Sequence, residues 1–212
     1  MPVGCAWWRH WSGKHQRVVQ GLNLISLLWS QGPERLPVDC RIYDKAQDGL
    51  SKKDHSRQMW QTAYEQDFKP ELVRFDSWYA GLANLKQRGY GRHGLTPLKA
   101  HRLVSVEGKG HHRSGSTGYI PPHGRKMYLK GYGWVKGFNG GEGYRATSRL
   151  DMSVVEAAEY ARRAWQMEVY PQGLKRFTGI ERGQFRMEKA QRDGLAIWAY
   201  LAQPTIILPA TT

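Results

Sequence analysis

Asp76, Glu168 and Lys175 are the residues whose types and spacing suit chemistry on a phosphodiester. Asp76 closes the run Glu71-Leu72-Val73-Arg74-Phe75. Carboxylates at the C-terminal ends of strands often face a site in α/β sheets. The plainer reading of Asp76 is an acid that caps a helix or a turn. Glu168 continues an apolar stripe, Val154, Ala158, Ala161 and Trp165, at steps of three and four. Such a carboxylate either lies in solvent at the helix end, paired with Arg163 or Lys175, or is buried beside a partner, because burial without one is costly. Lys175 follows at an interval close to two helical turns. Two distant carboxylates and a lysine fit two-metal phosphoryl transfer. There, hard oxygen ligands hold Mg²⁺ ions about 4 Å apart and a nearby cation holds the phosphate.

The elements that must position these residues are readable in outline. Residues 17–29 carry apolar side chains on both parities, which predicts a strand buried within a sheet. Gln31-Gly32-Pro33 is a turn signal and Leu36 to Tyr43 a second strand, so 17–43 reads as a hairpin. Residues 1–13 show no clear period. Asp54 or Ser56 is the expected cap of a helix running to about Phe68. A short strand (71–76), a short helix (80–88) and a short strand (94–99) follow. Residues 101–150 are rich in Gly and poor in acids, and 126–138 alternates Lys and Gly with aromatic and apolar residues. That stretch reads as a β-rich insertion with an exposed basic face. Ser153 with Glu156 makes a capping box for the helix carrying the stripe, and a further helix is expected over 187–202.

Composition narrows the partner. Thirty-two Lys and Arg face eighteen Asp and Glu, a net charge of +14. An excess of that size favours a polyanion, nucleic acid first. An anionic membrane surface fits less well, because no basic helix shows an apolar face. Cys5 and Cys40 make no metal-ligand spacing and read as free thiols in a reducing compartment. No apolar run reaches the length of a membrane span and the first residues are not a signal peptide, so the expected location is cytoplasmic.

At these residues a family becomes recognisable. The runs Leu36-Pro37-Val38-Asp39-Cys40-Arg41-Ile42-Tyr43-Asp44-Lys45, Phe75-Asp76-Ser77-Trp78-Tyr79 and Lys130-Gly131-Tyr132-Gly133 resemble bacterial insertion-sequence transposases of the DDE class, in the insertion sequence 4-like and 701-like group. So do Trp165-Gln166-Met167-Glu168-Val169-Tyr170, Gly173-Leu174-Lys175 and Gly179-Ile180-Glu181-Arg182. The last region is similar to the family's glutamate signature, Tyr-x2-Arg-x3-Glu-x6-Lys. Glu168 and Lys175 keep its interval, whereas Tyr160 and Arg163 keep their mutual spacing but sit one residue early. The resemblance covers residues 14 to 190. It implies an α/β, RNase H-like fold: a mixed sheet with flanking helices and a β insertion. The core's first part would be 14–100, the insertion 101–150 and the glutamate-bearing helices 151–202. It implies Asp76 and Glu168 as catalytic ligands of Mg²⁺ or Mn²⁺, Lys175, Arg163 and Tyr160 as DNA-binding residues, and DNA strand cleavage and strand transfer as the ancestral reaction. Transposon ends and target DNA are the expected partners, with a homodimer as the working assembly.

The family's first Asp has no counterpart, since no Asp or Glu precedes Glu34. The expectation is therefore an N-terminally truncated copy that lacks the first central strand, is inactive alone, and has exposed edges on the strands that would flank it. The different-class alternative is a non-catalytic nucleic-acid-binding module on the same scaffold. Apolar residues within 1–11 are candidates to fill the gap, and Asp39 and Asp44 are candidate substitute ligands, against the plainer reading of surface or turn acids. Glu181 reads as a supporting acid. His101, His111, His112 and His123 match no zinc spacing and read as a basic loop. No GxxxxGK[ST] occurs, which argues against a nucleotide P-loop. Tyr128, Lys130, Tyr132, Trp134 and Lys136 interleave rings with cations, a pattern that serves either DNA contact or strand packing.

Overall fold

Turn formers divide the first strand region. Gly21 and Asn23 interrupt the apolar run, and the strand expected over 17–29 becomes two: β2 (Arg17–Gly21) and β3 (Leu24–Gln31). A computed structural model describes residues 8–12, 16–21, 23–31, 34–74, 76–86, 93–106, 110–114, 119–140 and 143–163. β2 pairs antiparallel with β1 (Trp8–Ser12), in the stretch where no period was readable. β3 pairs with β4 (Glu34–Ile42), so the expected hairpin exists with a shorter first strand. Its ladder runs Leu24↔Ile42 to Gln31↔Glu34 and shifts where Leu27 pairs with Asp39 but Leu28 with Pro37. A bulge suits that point, because Pro37 has no N–H to give the ladder. Among the described residues the hairpin is a two-stranded sheet in which only Ile25 of β3 is buried, rather than part of a larger sheet.

The next helices start on capping chemistry. Asp44 Oδ1 accepts from the Ala46 N–H at 2.9 Å at the start of α1 (Lys45–Asp48). α2 (Lys52–Glu65) is capped by Ser51 rather than by Asp54 or Ser56. Ser51 Oγ accepts from the Asp54 N–H at 3.3 Å, and Asp54 Oδ2 accepts from the Ser51 N–H at 2.8 Å. Asp54 is thus the return arm of a capping box, and these hydrogen bonds from Ser51 hold its carboxyl below the ordinary range. Ser56 lies on the buried face with His55, Met59, Trp60 and Ala63.

The described residues fall into two compact units, one holding those through Ala63 and the other those from Tyr64 onward. The second is built on a seven-stranded mixed sheet, ordered β5-β6-β11-β10-β9-β7-β8. Its strands are β5 (Leu72–Arg74), β6 (His93–Leu98), β7 (Leu103–Ser105), β8 (His112–Arg113), β9 (Arg125–Leu129), β10 (Gly133–Asn139) and β11 (Tyr144–Thr147). β5 and β6 are parallel, and every other pair is antiparallel. A short helix, α3 (Leu82–Leu85), stands between β5 and β6 in the chain. The stretch 101–150 supplies five of the seven strands, and β11 joins it to β6 through Tyr144↔Leu98 to Thr147↔Leu95. Among the described residues β5 has a partner on one side only.

Alternation places the core. On β9, Met127 and Leu129 are buried while Lys126 and Tyr128 are exposed; on β10, Val135 is buried and Trp134 exposed. Leu95, Val104, Met127 and Leu129 are among the most deeply buried side chains. Two glycines belong to this packing. A Cβ on Gly137 would overlap the Met127 methyl carbon. Gly124 has φ +84°, and a Cβ there would stand 2.8 Å from the Phe138 ring and 2.9 Å from the Gly137 carbonyl oxygen.

Helix α4 occupies 154–163, up to the last described residue. Its expected capping box is present: Ser153 Oγ accepts from the Glu156 N–H at 3.1 Å and Glu156 Oε2 from the Ser153 N–H at 2.8 Å. Met152 and Ala157 pack on Phe138, with Leu72 and Tyr160 against them. Arg149 clasps the helix start: it donates to Glu71 at 2.9 Å and Glu156 at 2.8 Å and lies 3.6 Å from Asp151. The molecule is therefore a mixed α/β protein with a largely antiparallel sheet and few helices among its described residues. None of those helices is long and apolar enough to cross a membrane.

Candidate nucleic-acid interface

Arg74 links the strand that leads to Asp76 with the helix that carries Tyr160 and Arg163. Its guanidinium donates to the carbonyls of Tyr160 at 3.2 Å and Ala161 at 2.9 Å. Asp76 lies two residues beyond β5 and is exposed. Its Oδ1 accepts from the Ser77 hydroxyl at 3.1 Å and the Trp78 N–H at 3.3 Å, and its carbonyl accepts from the Tyr79 N–H at 3.0 Å. This is the turn geometry in which an Asp side chain organises the backbone after it. Tyr79 sits partly buried here, and burial raises its hydroxyl above the ordinary tyrosine value, with the Asp76 charge adding to the effect.

Tyr160 and Arg163 already have structural partners. Tyr160 packs against the Phe138–Met152–Ala157 cluster. The Arg163 guanidinium lies 5.8 Å from the Tyr160 ring centroid and donates to Glu159 Oε1 at 2.9 Å. Glu159 also takes two hydrogen bonds from Arg162. These bonds, Arg162's first and Arg163's next, hold the Glu159 carboxyl down to about 2. Glu168, Lys175 and Glu181 lie outside the described residues, so Asp76 is the described member of the expected catalytic pair.

The candidate substitute acids are engaged elsewhere. Asp39 pairs with Arg41 at 3.0 Å, and Asp44 is buried at the start of α1. Among the described residues no group of three or more His, Cys, Asp and Glu side chains is arranged to hold a metal ion. One exposed turn carboxylate does not make a Mg²⁺ site, which needs several oxygen ligands in octahedral array, so no metal step follows from these residues.

A different surface is fully described. Trp134 and Tyr128 face each other across β10 and β9, with ring centroids 5.6 Å apart and edge to face. Trp134 is 44% exposed and Tyr128 37%. The next pair on the same face is Lys136↔Lys126, and the Lys126 ammonium lies 4.8 Å over the Trp134 ring. Lys136 turns the other way along the sheet: its ammonium donates to the Met152 carbonyl at 2.8 Å and lies 5.5 Å over Phe138. The exposed His111 ring meets Tyr128 edge to face at 6.5 Å. No Asp or Glu occurs from Tyr119 to Gly140. A second exposed indole, Trp78, lies under the Lys99 ammonium at 5.1 Å, two residues past Asp76.

The interleaved rings and cations at 128–136 thus divide into an outward set and a supporting set. Lys126 belongs with the outward set, at the start of the stretch 126–138 whose alternation predicts an exposed basic face. The opposition of Trp134 and Tyr128 depends on the three-residue connection between β9 and β10 registering as Gly133↔Leu129, which composition alone does not state. No protein-family model matches this chain, and comparison with curated proteins finds no match.

Proposed function

We propose that this chain is a DNA-binding protein derived from a DDE-type insertion-sequence transposase, RNase H-like in fold, and that it does not cleave DNA by itself. The observation that carries DNA binding is the acid-free stretch 119–140, which turns Lys126, Tyr128 and Trp134 outward in a chain of net charge +14. The transposase origin rests on the ordered residue runs, Glu168 and Lys175 above all. The Arg74 tie adds to it, because it fastens the approach to Asp76 onto the helix after which the sequence reaches Glu168 seven residues beyond Ala161. On this reading Asp76 and Glu168 are inherited Mg²⁺ or Mn²⁺ ligands, Lys175 holds a DNA phosphate, and Arg163 reaches DNA only by leaving Glu159. Strand cleavage fails because the inherited set is two acids where the reaction takes three, and Asp39 and Asp44 are committed to local structure.

The test is paired. Duplex DNA carrying the element ends should bind, with affinity falling steeply as salt rises. The same DNA should remain intact with Mg²⁺ or Mn²⁺ present. Cleavage by the wild type that Glu168→Ala abolishes would overturn the inactive reading, and binding indifferent to salt would overturn the DNA reading. Light scattering of the complex checks the expected dimer.

A further inference from the structure

We infer that the Tyr128–Trp134 pair is a stacking site for the bases of single-stranded DNA, with Lys126 as its phosphate contact. The inference rests on the DNA-binding reading and adds a strand preference to it.

The sheet surface around these residues differs from a packed stripe. On the inner face of β9 and β10, Met127, Leu129 and Val135 are 1%, 2% and 2% exposed. On the outer face, Phe138 is covered by Met152 and Ala157. Trp134 has the same parity on β10 as Phe138, yet it and Tyr128 stay open while Phe138 is closed. The outer face is therefore roofed at one end and bare at the other, and the bare end holds two adjoining aromatic rings.

Two adjoining exposed rings on a strand pair offer aromatic surface that a planar ligand can cover. Bases are flat and stack on indole and phenol rings whatever their sequence. In a duplex the base faces are already taken by their neighbours, so the platform discriminates for unpaired strands. The cations fit the same ligand. Lys126 is exposed, and its cation–π contact over Trp134 is of the weak, solvated kind, so an arriving base displaces it toward the flanking phosphate. Lys130, exposed one residue past β9, lies within the same acid-free stretch. No carboxylate from 119–140 opposes the strand.

Fluorescence anisotropy with a labelled oligo-dT of about a dozen nucleotides, against a duplex of equal length, tests this on the full chain. Trp134→Ala should weaken oligo-dT binding roughly five- to hundredfold, the range for one lost stack, and weaken duplex binding distinctly less. Tyr128→Ala should act in the same direction. Trp134→Phe keeps a flat ring and should retain most of the affinity while removing most of the tryptophan quenching that oligo-dT causes. Equal losses on duplex and single strand, or no loss on oligo-dT, would overturn the stacking site while leaving general DNA binding intact. Failure of the wild type to bind either DNA would overturn both readings. A preference above about tenfold for the matching RNA oligonucleotide would overturn DNA as the ligand.

Discussion

Glu159 sets the terms on which Arg163 meets anything else. Its carboxyl, held down to about 2 by Arg162 and then Arg163, stays ionised across the physiological range. The sign follows directly: a depressed carboxylate keeps its ion pairs above the ordinary carboxylate range and loses them only as pH falls toward the lowered value. At neutral pH, therefore, the Glu159 carboxylate offsets one of the two guanidinium charges, and Arg162 and Arg163 contribute less to a polyanion than their number suggests. Replacing Glu159 by Gln removes one negative charge and releases both guanidinium groups. Duplex affinity at low salt should rise roughly two- to fivefold, read by anisotropy, and the gain should shrink as salt screens it. At this scale the sequence was partly legible. Asp76 was readable as an acid of a turn, because Ser and an aromatic follow it. Arg74 was not readable as a clamp, since its acceptors are backbone carbonyls 86 and 87 residues away.

Local chemistry decided the elements more than periodicity did. Both capping boxes join residues three apart: Ser153 with Glu156 is readable from spacing, whereas the sequence points to Asp54 or Ser56 as the cap where Ser51 caps and Asp54 answers. An Asp can cap or can answer a cap, and only the position of the preceding Ser separates the two. Ser153→Ala and Ser51→Ala should each cost about 1 kcal/mol, seen as lower urea midpoints with unchanged slopes. Gly124→Ala should cost more, about 2 kcal/mol, because a side chain at positive φ is strained and its Cβ meets the Phe138 ring. Leu95→Ala, at a fully buried position in β6, should cost about 3 kcal/mol by the same measurement.

At the scale of the whole chain, strand order was the least legible property. β5 and β6 were foreseen as short strands, but β6's antiparallel partner β11 comes from the far end of the stretch read as an insertion. Nothing local to either strand specifies that pairing; both faces are buried along it, Leu95 with Thr147 on one and Thr96 with Ala146 on the other. Charge, by contrast, was legible at once, because it needs only counting. Raising salt from about 50 to about 200 mM should lower duplex affinity roughly hundredfold or more if several phosphates are contacted. Oligo-dT affinity should fall less, because stacking on Trp134 and Tyr128 does not depend on counterion release.

The Arg149 clasp makes electrolyte a two-handed variable. One guanidinium, 19% exposed, pairs with acids from three segments: Glu71 ahead of β5, Asp151 in the connection and Glu156 in the first turn of α4. Added ions loosen that clasp at the same concentrations that strip a polyanion from the surface. Amide hydrogen exchange should register the difference: α4's opening turn should quicken as sodium chloride is raised, while the β9–β10 ladder holds its protection. If DNA is bound as proposed, a change in salt would thus alter the protein's grip and its internal seating together.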